Sequence, residues 1–357
     1  MPGGKINAMS SETHPELIFE SRTVSAKFID PGGRLVERPI EIRTHPISGR
    51  TCRLAFSRLN EKEIGTDALP LPPPDAARTS DCPFCRPQVD AQTPRLHPDL
   101  GNEGRLTRQD SLLFPNLFPY GSYSAVSLFN NDHFVEIGTA SASSYTNCFL
   151  NCCQYLARII DRDPQAVNMA ITQNHLPSAG GSLIHPHLQV NADRVAANHH
   201  RFLLKRANDY YRHCGENLFS GYLDLEMKDG SRYIGKTGSW NWVTAFAPEG
   251  FFEIWGILPG KTSLQQPDAS DWQDLVKGIF NIQRFYRSLN RNGYNLGLLS
   301  VETATSHLEL RLVIMVRPNY APWVRSDHTG FEVMLGDMTT FVSPEQTAQW
   351  VRPFFGD

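Results

Sequence analysis

Apolar residues recur at helical spacing in two long stretches of the chain, and each stretch predicts an amphipathic helix. The first helix is predicted over residues 143–160. Its shared apolar face carries Tyr145, Cys148, Phe149, Cys152, Leu156 and Ile159. The second helix is predicted to run from a cap at Ser270 to Leu289. A final helix is predicted to begin at Ser343, where Ser-Pro-Glu-Gln has the form of a capping box with proline in the first turn.

Short apolar runs bounded by turn residues predict strands around both long helices. Strands are expected at 167–173 and 183–190 after the first helix, and at 294–301 and 308–316 after the second. Each half of the chain therefore has the order strands, one long helix, then two strands. This order predicts an α+β fold that is built from two similar units.

The repeated order also predicts how the chain is divided. We assign residues 1–24 to a weakly ordered leader, 25–200 to an amino-terminal domain and 201–357 to a carboxy-terminal domain. The stretch 67–92 is rich in proline, alanine and aspartate and is predicted to be a long surface loop. The order of that loop must come from something other than a hydrophobic core.

The last predicted strand of each half carries a similar pattern of polar residues. Residues 184–190 read Ile-His-Pro-His-Leu-Gln-Val, and residues 306–312 read Ser-His-Leu-Glu-Leu-Arg-Leu. The corresponding residues are His185 and His307, His187 and Glu309, and Gln189 and Arg311. Alternate residues of a strand point to one face, so each half is expected to present three polar groups together. We interpret this as a duplicated α+β unit with one working site and one altered copy.

Composition and charge exclude several classes of function. The chain has 357 residues with 40% hydrophobic and 20% charged residues, so it is expected to fold rather than remain disordered. The net charge of −3 does not favour a nucleic-acid-binding protein. No run approaches the roughly 18 apolar residues of a membrane helix, and the first residues lack an apolar signal-peptide core. We therefore expect a cytoplasmic protein without nucleic-acid or membrane partners.

Two of the seven cysteines form the motif Cys82-Pro-Phe-Cys85 within the proline-rich stretch. Two thiolates at this spacing can bind one zinc ion, but zinc usually takes four protein ligands in a structural site. No second Cys-x-x-Cys is present, so the other ligands would be histidines far along the chain, with His133 and His185 as the best candidates. A free turn or a redox motif is the alternative interpretation.

The segment His185-Pro-His187-Leu-Gln189 is the sharpest local signal for chemistry. A neutral imidazole near pH 7 can act as a nucleophile, a base or a metal ligand. The preceding segment 178–182, Ser-Ala-Gly-Gly-Ser, contains glycines that allow the close backbone approach a phosphate requires. The alternative is a polar strand face with histidines that are hydrogen-bonded within the core.

Taken together, these motifs resemble those of the galactose-1-phosphate uridylyltransferase family in the histidine triad superfamily. The matching segments are the Cys-x-x-Cys loop, Asp132-His133, Asn174, residues 180–189, residues 43–49 followed by Arg58, and residues 228–232, 242–248 and 331–332. The resemblance covers nearly the whole chain. It implies an α+β fold of two tandem histidine-triad-like halves, each an antiparallel sheet with one long helix packed on it, of which the second has a degenerate site.

The resemblance also implies a reaction and a role for each site residue. His187 would attack the α-phosphorus of a nucleotide sugar and form a nucleotidyl-histidine, which a sugar 1-phosphate would then resolve. Gln189 would donate a hydrogen bond to a phosphoryl oxygen. The implied substrate contacts are Arg58, Asn116, Asn174, Ser182 and Glu332. The implied ligands of one structural zinc per chain are Cys82, Cys85, His133 and His185. The family also implies a homodimer.

The chain departs from the family at two places. Arg311 and Val313 stand where the family's second metal site has two histidines, so we expect no second metal. Around Met338-Thr339 a glutamine of the hexose pocket is replaced, which leaves the sugar open. A phosphorylase that cleaves an ADP-sugar or a dinucleoside polyphosphate with the same histidine is the main alternative. A hydrolase and a nucleotide-binding module without turnover are the others.

Overall fold

The computed structural model describes residues 16–55, 72, 74–319, 328 and 330–356. The strands in this part of the chain are β1 (Glu20–Ile29), β2 (Leu35–Thr44), β3 (Thr51–Leu54), β4 (Leu106–Arg108), β5 (Ser111–Pro115), β6 (Tyr123–Leu128), β7 (Asn168–His175), β8 (His187–Asp193), β9 (Tyr233–Thr237), β10 (Trp240–Thr244), β11 (Ile254–Leu258), β12 (Gly293–Val301), β13 (Leu310–Arg317) and β14 (Met338–Thr340). The helices are α1 (Gln88–Gln92), α2 (Ala142–Arg162), α3 (Asn198–Cys214), α4 (Leu218–Asp229), α5 (Ala269–Ser288), α6 (Gly330–Leu335) and α7 (Pro344–Val351).

Ten of these strands form one antiparallel sheet with the order β4-β5-β6-β8-β7-β12-β13-β11-β10-β9. Counted outward from its centre, the sheet has strands in a corresponding order on both sides. In this correspondence β7 matches β12, and β8 matches β13. The two halves meet where β7 pairs with β12, from Asn168 opposite Val301 to His175 opposite Tyr294. The predicted α+β class and the repeated antiparallel unit are therefore confirmed. The domain boundaries stay a prediction, because both halves share this sheet.

One face of the large sheet is covered by α2 and α5. The apolar stripe predicted for the first helix is buried in α2, and the two helices contact each other through Phe149 and Trp272, whose rings lie 5.4 Å apart. Burying side chains of this size stabilises the fold by about 1.5–3 kcal/mol each. The cap of α5 is Asp268 and not Ser270, since the Asp268 carboxylate accepts hydrogen bonds from the backbone N–H groups of Ser270 and Asp271. Ser343 caps α7 as predicted.

The opposite face of the sheet carries the polar residues of β8. Leu188 and Val190 point into the helix-covered core, so His187 and Gln189 point the other way. The strand begins at His187, four residues later than the predicted start at 183. Pro186 has no N–H to donate to a ladder, and the chain joins the sheet only after it.

A smaller sheet with the order β1-β2-β3-β14 lies beside the large one. Residues 20–24, which we assigned to the leader, belong to β1 and pair with β2. Arg43 of β2 is buried and donates to Glu345 of α7 at 2.8 Å, and Arg232 donates to the same carboxylate at 2.9 Å. Removing one partner from such a buried network costs about 3–5 kcal/mol. Within the described residues, no helix has the length and apolar character needed to cross a bilayer.

Candidate active site and metal centre

Four side chains from three separate segments converge beneath the proline-rich loop. The Sγ of Cys85 lies 3.2 Å from Nδ1 of His133 and 3.5 Å from Nδ1 of His185, and the Sγ of Cys82 lies 4.0 Å from the latter. All four potential ligand atoms lie within 4.8 Å of one another, and all four residues are buried. A tetrahedral site with bonds of about 2.0–2.3 Å has edges of about 3.3–3.8 Å. The cluster therefore has the size and the donor set of a four-ligand metal site.

Backbone carbonyls orient both histidines of this cluster. The Nε2 of His185 lies 3.2 Å from the carbonyl of Asn130, and that of His133 lies 3.0 Å from the carbonyl of Asp75. A carbonyl only accepts, so each Nε2 carries the proton and each Nδ1 presents a lone pair to the cysteines. Burial and the neighbouring Cys82 raise the pKa of Cys85 to about 12 when no cation is bound. A metal ion would bind in place of that proton.

His187 lies two residues beyond the metal cluster, and its ring is held in one tautomer. Its Nδ1 lies 2.7 Å from the carbonyl of His185, so Nδ1–H donates and Nε2 keeps a lone pair. The side chain is 6% exposed, and burial lowers its pKa, which favours the neutral ring. The ring of Phe84, within the Cys-x-x-Cys motif, packs edge-on against His187 at 5.4 Å. The loop that carries the two cysteines thus also contacts the His187 ring.

Asn174 lies on the neighbouring strand β7 and is oriented by a chain of hydrogen bonds. Asn295 donates from Nδ2 to the Asn174 side-chain oxygen at 2.7 Å and to the carbonyl of Ala179 at 2.8 Å. Arg317 in turn donates to the Asn295 oxygen at 3.0 Å. This arrangement leaves the Asn174 amide N–H groups as the donors available to a ligand. Gln189, in the next strand, pairs with Thr172 of β7 on the same face.

The loop between β7 and β8 turns tightly around the Asn174 backbone. Gly180 has a φ of +86°, and the N–H of Gly181 donates to the carbonyl of Leu176 at 3.2 Å. A Cβ at Gly181 would lie 2.9 Å from the Asn174 carbonyl oxygen, so this position requires glycine. Ser182 follows this turn and is exposed. The loop can therefore offer the Ser182 hydroxyl to a ligand.

No protein-family model matches the chain. An uncharacterized protein of Archaeoglobus fulgidus is 27% identical over 327 residues, which are 91% of this chain and 96% of that protein. A GalT-like protein of Arabidopsis thaliana superposes with a TM-score of 0.65 and 20% identity, over 88% of this chain and 98% of the other. The ADP-glucose phosphorylase of the same plant, with ADP-glucose bound, has a TM-score of 0.66 at 20% identity over 88% and 98% of the two chains.

A uridylyltransferase superposes with a TM-score of 0.62 at 18% identity, over 88% of this chain and 98% of the other. The chain has the GalT-like fold. The expected resemblance is confirmed at the level of the fold, and a buried cluster able to hold a metal lies where the GalT-type motifs predicted it. The metal's identity and the roles of the individual site residues stay predictions.

The remaining site residues expected from the GalT-type motifs lie at varied distances from this centre. Asn116 directly follows β5, which lies two strands from β8, and its side-chain oxygen accepts from the N–H of Phe118 at 3.1 Å. Glu332 belongs to α6 beside the small sheet and accepts a hydrogen bond from Thr339 at 2.7 Å. Arg58 lies outside the described residues. The structure therefore brings Asn174 beside the His187 strand, while Glu332 lies on a helix next to the smaller sheet.

Three residues that the sequence analysis did not select also shape the site. Phe84 packs on the His187 ring, Asn295 orients Asn174, and His175 stacks on Tyr294 at 4.7 Å. Burial lowers the pKa of His175 to about 4, so this neighbour of His187 is neutral. Phe84 could have been selected from the sequence, because it lies between the two cysteines of the motif. Asn295 and His175 had no signal, because their roles depend on the pairing of β7 with β12.

Proposed function

We propose that this protein is a nucleotidyltransferase that moves a nucleoside monophosphate from a nucleotide sugar to a sugar 1-phosphate through a covalent intermediate on His187. The observation that carries the proposal is the hydrogen bond from Nδ1 of His187 to the His185 carbonyl at 2.7 Å. This bond leaves an unprotonated Nε2 on a buried ring, which is the form of histidine that can act as a nucleophile. The GalT-like fold and the His-Pro-His-x-Gln segment support the same reaction class.

In the first step, Nε2 of His187 attacks the α-phosphorus and forms an N–P bond. The bond from that phosphorus to the bridging oxygen breaks, and the sugar 1-phosphate leaves with the bonding electron pair. In the second step, a phosphate oxygen of the acceptor attacks the same phosphorus, and Nε2 leaves with its electrons restored. Gln189 and the Asn174 amide would donate to the non-bridging oxygens, where a donor is typically worth 10²–10³ in rate.

We also propose that the ion held by Cys82, Cys85, His133 and His185 is zinc, with one ion per chain. Two thiolates and two imidazoles in a tetrahedral arrangement are the usual donor set of structural zinc. With all four positions taken by protein, zinc would fix the loop that carries Phe84 and the segment that precedes His187. It would not contact the reacting phosphate. The four residues would therefore act on catalysis only through the orientation of His187.

A phosphorylase is the second candidate function. It is favoured by the superposition on an ADP-glucose phosphorylase, whose TM-score of 0.66 stands beside 0.62 for a uridylyltransferase. The two reactions share the first step and differ only in the acceptor, which would be inorganic phosphate instead of a sugar 1-phosphate. A nucleoside diphosphate would then be the product of the second step. Both candidates require the same nucleophile.

The decisive experiment detects the covalent intermediate. The purified protein is incubated separately with UDP-glucose and with ADP-glucose, and peptides containing His187 are examined for the mass of one nucleotidyl group. The base is assigned by the substrate that labels the histidine. Labelled enzyme is then divided between galactose 1-phosphate and inorganic phosphate, because glucose 1-phosphate would only reverse the first step in either reaction. Formation of a new nucleotide sugar supports the transferase, and formation of a nucleoside diphosphate supports the phosphorylase.

Substitutions at the site complete the test. His187→Asn is expected to abolish labelling and to lower turnover by several powers of ten, since a loss of on the order of 5 kcal/mol corresponds to more than a thousandfold. Gln189→Ala is expected to lower turnover by roughly 10²–10³-fold. His97→Asn is the matched control, because the His97 side chain is 73% exposed. Near-wild-type exchange by His187→Asn would refute the covalent mechanism for this protein.

A homodimer and a cytoplasmic location complete the proposal. Residues 41–44 of β2 pair with β3, but the rest of the β1–β2 hairpin has only two strands, and it exposes Phe28 at 41% and Leu35 at 88%. A two-stranded hairpin is marginally stable alone, so we propose that this arm packs against a second copy. Light scattering should give a dimer for the wild type and a monomer for a variant with Phe28→Ser and Leu35→Ser. The location is proposed because all seven cysteines are free.

A further inference from the structure

A cavity of about 900 Å³ lies over the second half of the large sheet, on the face opposite α2 and α5. Its floor crosses the sheet along the row Thr172, Gly297, Val313 and Trp255, whose Cα atoms are successive partners in four strands. Gly297 leaves the middle of this floor open, because a Cβ there would meet only a methyl group of Thr172 at 3.9 Å. The volume is that of a small-molecule site. His187 and Gln189 do not line it, although Asn174 and Asn295 of the candidate active site border it at one end.

Arg311 of β13 projects from this floor between aromatic walls. Its guanidinium carbon lies 4.2 Å from the centre of the Trp255 ring and 4.7 Å from that of Phe219. Among the described residues, none accepts a hydrogen bond from Arg311 or forms an ion pair with it. The group stays charged even though burial lowers its pKa, because an arginine does not deprotonate in proteins. Its donors are therefore held rigidly by stacking and directed into open space.

The acidic side chains of the cavity are engaged elsewhere. Glu309 accepts three hydrogen bonds, from the N–H and the hydroxyl of Ser220 at 2.8 and 2.7 Å and from the N–H of Gly260 at 2.6 Å. Glu253 accepts from the indole of Trp255 at 2.5 Å and from the N–H of Glu249 at 2.6 Å.

Glu249 itself accepts from the hydroxyl of Ser48 at 3.0 Å and lies 3.7 Å from the guanidinium of Arg50. Each of these three carboxylates thus has its own donors. None supplies the oxygen pair that a guanidinium binds in a bidentate manner.

The symmetry of the sheet relates this cavity to the candidate active site. Strand β13 occupies the place of β8 in the second half, and the alternation of buried residues matches, with Leu188 and Val190 in one strand and Leu310 and Leu312 in the other. In this correspondence Arg311 stands for Gln189, which is the proposed phosphoryl donor. Glu309 stands for the nucleophile His187. The second half thus has a charged donor in the place of Gln189, and in the place of His187 it has a carboxylate that is already engaged by three hydrogen bonds.

We propose that this cavity is a second ligand site, which binds a small organic oxyanion with an apolar or aromatic body through Arg311 and does not transform it. The oxyanion is a phosphate monoester or a carboxylate, since either group presents two oxygens to the guanidinium fork. The aromatic walls, which include Trp255 and Phe219, and apolar residues such as Val313 receive the body of the ligand. The site does not depend on the chemistry proposed for His187.

Isothermal titration of the full-length, metal-loaded protein tests this site with phenyl phosphate and with benzoate as probes. We expect at least one of them to bind with one site per chain, and the tighter probe identifies the preferred oxyanion. Benzyl alcohol, which has the ring without the charge, is expected not to bind in the same range. Arg311→Met should weaken binding at least tenfold, and Arg311→Lys should weaken it less. His187→Asn should leave it unchanged, which separates this site from the proposed catalytic one.

Arg50→Met is the matched control, because Arg50 lines the same cavity but is paired with Glu249. It is expected to retain binding within about threefold. A second measurement uses the wild type alone, so that no variant needs to fold. Phenylglyoxal modification followed by peptide mapping should show that the bound probe protects Arg311 and leaves Arg50 reactive. Absence of binding by both probes, or wild-type affinity in Arg311→Met, would overturn the proposal.

Discussion

Replacing Glu253 with glutamine should flatten the pH dependence of this protein's stability. Glu253 lines the cavity that contains Arg311, and its side chain is 5% exposed. Its carboxyl group accepts hydrogen bonds from Trp255 and from the backbone of Glu249. Burial, together with the charge of Glu249, raises its pKa from 4.5 to about 7, although its two hydrogen bonds and the nearby Arg311 act in the opposite direction. The folded protein therefore holds a proton that the unfolded chain releases near pH 4.5.

The sign and the size of the effect follow from linkage. Because the pKa is higher in the folded state, the unfolded chain gains from ionisation as the pH rises from 4.5 to 7, and the folded protein loses relative stability over that window. A pKa of about 7 instead of 4.5 corresponds to a full effect of about 3 kcal/mol, at 1.36 kcal/mol per pKa unit. Between pH 5 and pH 8 the change amounts to about 2.5 kcal/mol, and above pH 8 it is complete.

Urea unfolding at pH 5, 6, 7 and 8 measures this effect. Glutamine cannot ionise, so the stability of Glu253→Gln minus that of the wild type should rise by about 2.5 kcal/mol from pH 5 to pH 8. The nitrogen of glutamine cannot accept one of the two native hydrogen bonds, but this cost is the same at every pH and cancels in the difference. Glu37→Gln, at a side chain that is 56% exposed, is the control and should show no such trend. Parallel curves for wild type and Glu253→Gln would refute the reasoning.

Three further predictions concern the metal centre and the loop beside it. Cys82→Ser should lower the zinc content and the thermal stability and loosen the 67–92 loop, and full zinc retention by elemental analysis would count against the four-ligand site. Gly181→Ala should cost about 1–3 kcal/mol in calorimetry, because its Cβ would lie 2.9 Å from the Asn174 carbonyl, whereas Gly297→Ala should be tolerated. Anomalous scattering from crystals should reveal no metal near His307, and a peak there would contradict the expectation of a single metal.

Helix α5 shows which features of the fold are encoded locally. The helix was predictable, because its apolar period is a local property of about 20 residues. Its cap was wrong by two positions, since Asp268 and Ser270 are both good capping residues and the approach of the preceding chain decides between them. Strand β8 starts at His187 because Pro186 precedes it, and the apolar pattern alone did not predict this start.

The metal cluster was predictable only in part. Cys82 and Cys85 were evident from their spacing, and His133 and His185 were the best candidates among the histidines, which the family motifs supported. The cysteine Cys85 and these two histidines are 48 and 100 residues apart, so only the folded chain could bring their ligand atoms to 3.2 and 3.5 Å. The two carbonyls that set the histidine tautomers belong to residues with no chemical signature, and only the structure identified them.

The sequence by itself determined helices α2, α5 and α7, the strands that follow the two long helices, the duplicated order and the candidate nucleophile, because periodicity, turn residues and short motifs are encoded within a few positions. It did not predict α3 and α4. The tertiary structure decided which distant side chains meet. The pairing of β7 with β12 brings Asn295 into hydrogen-bonding contact with Asn174. The packing of the second half stacks Arg311 on Trp255 at the floor of the cavity. Strand register and desolvation produce these contacts, and both depend on the whole packed chain rather than on any local segment.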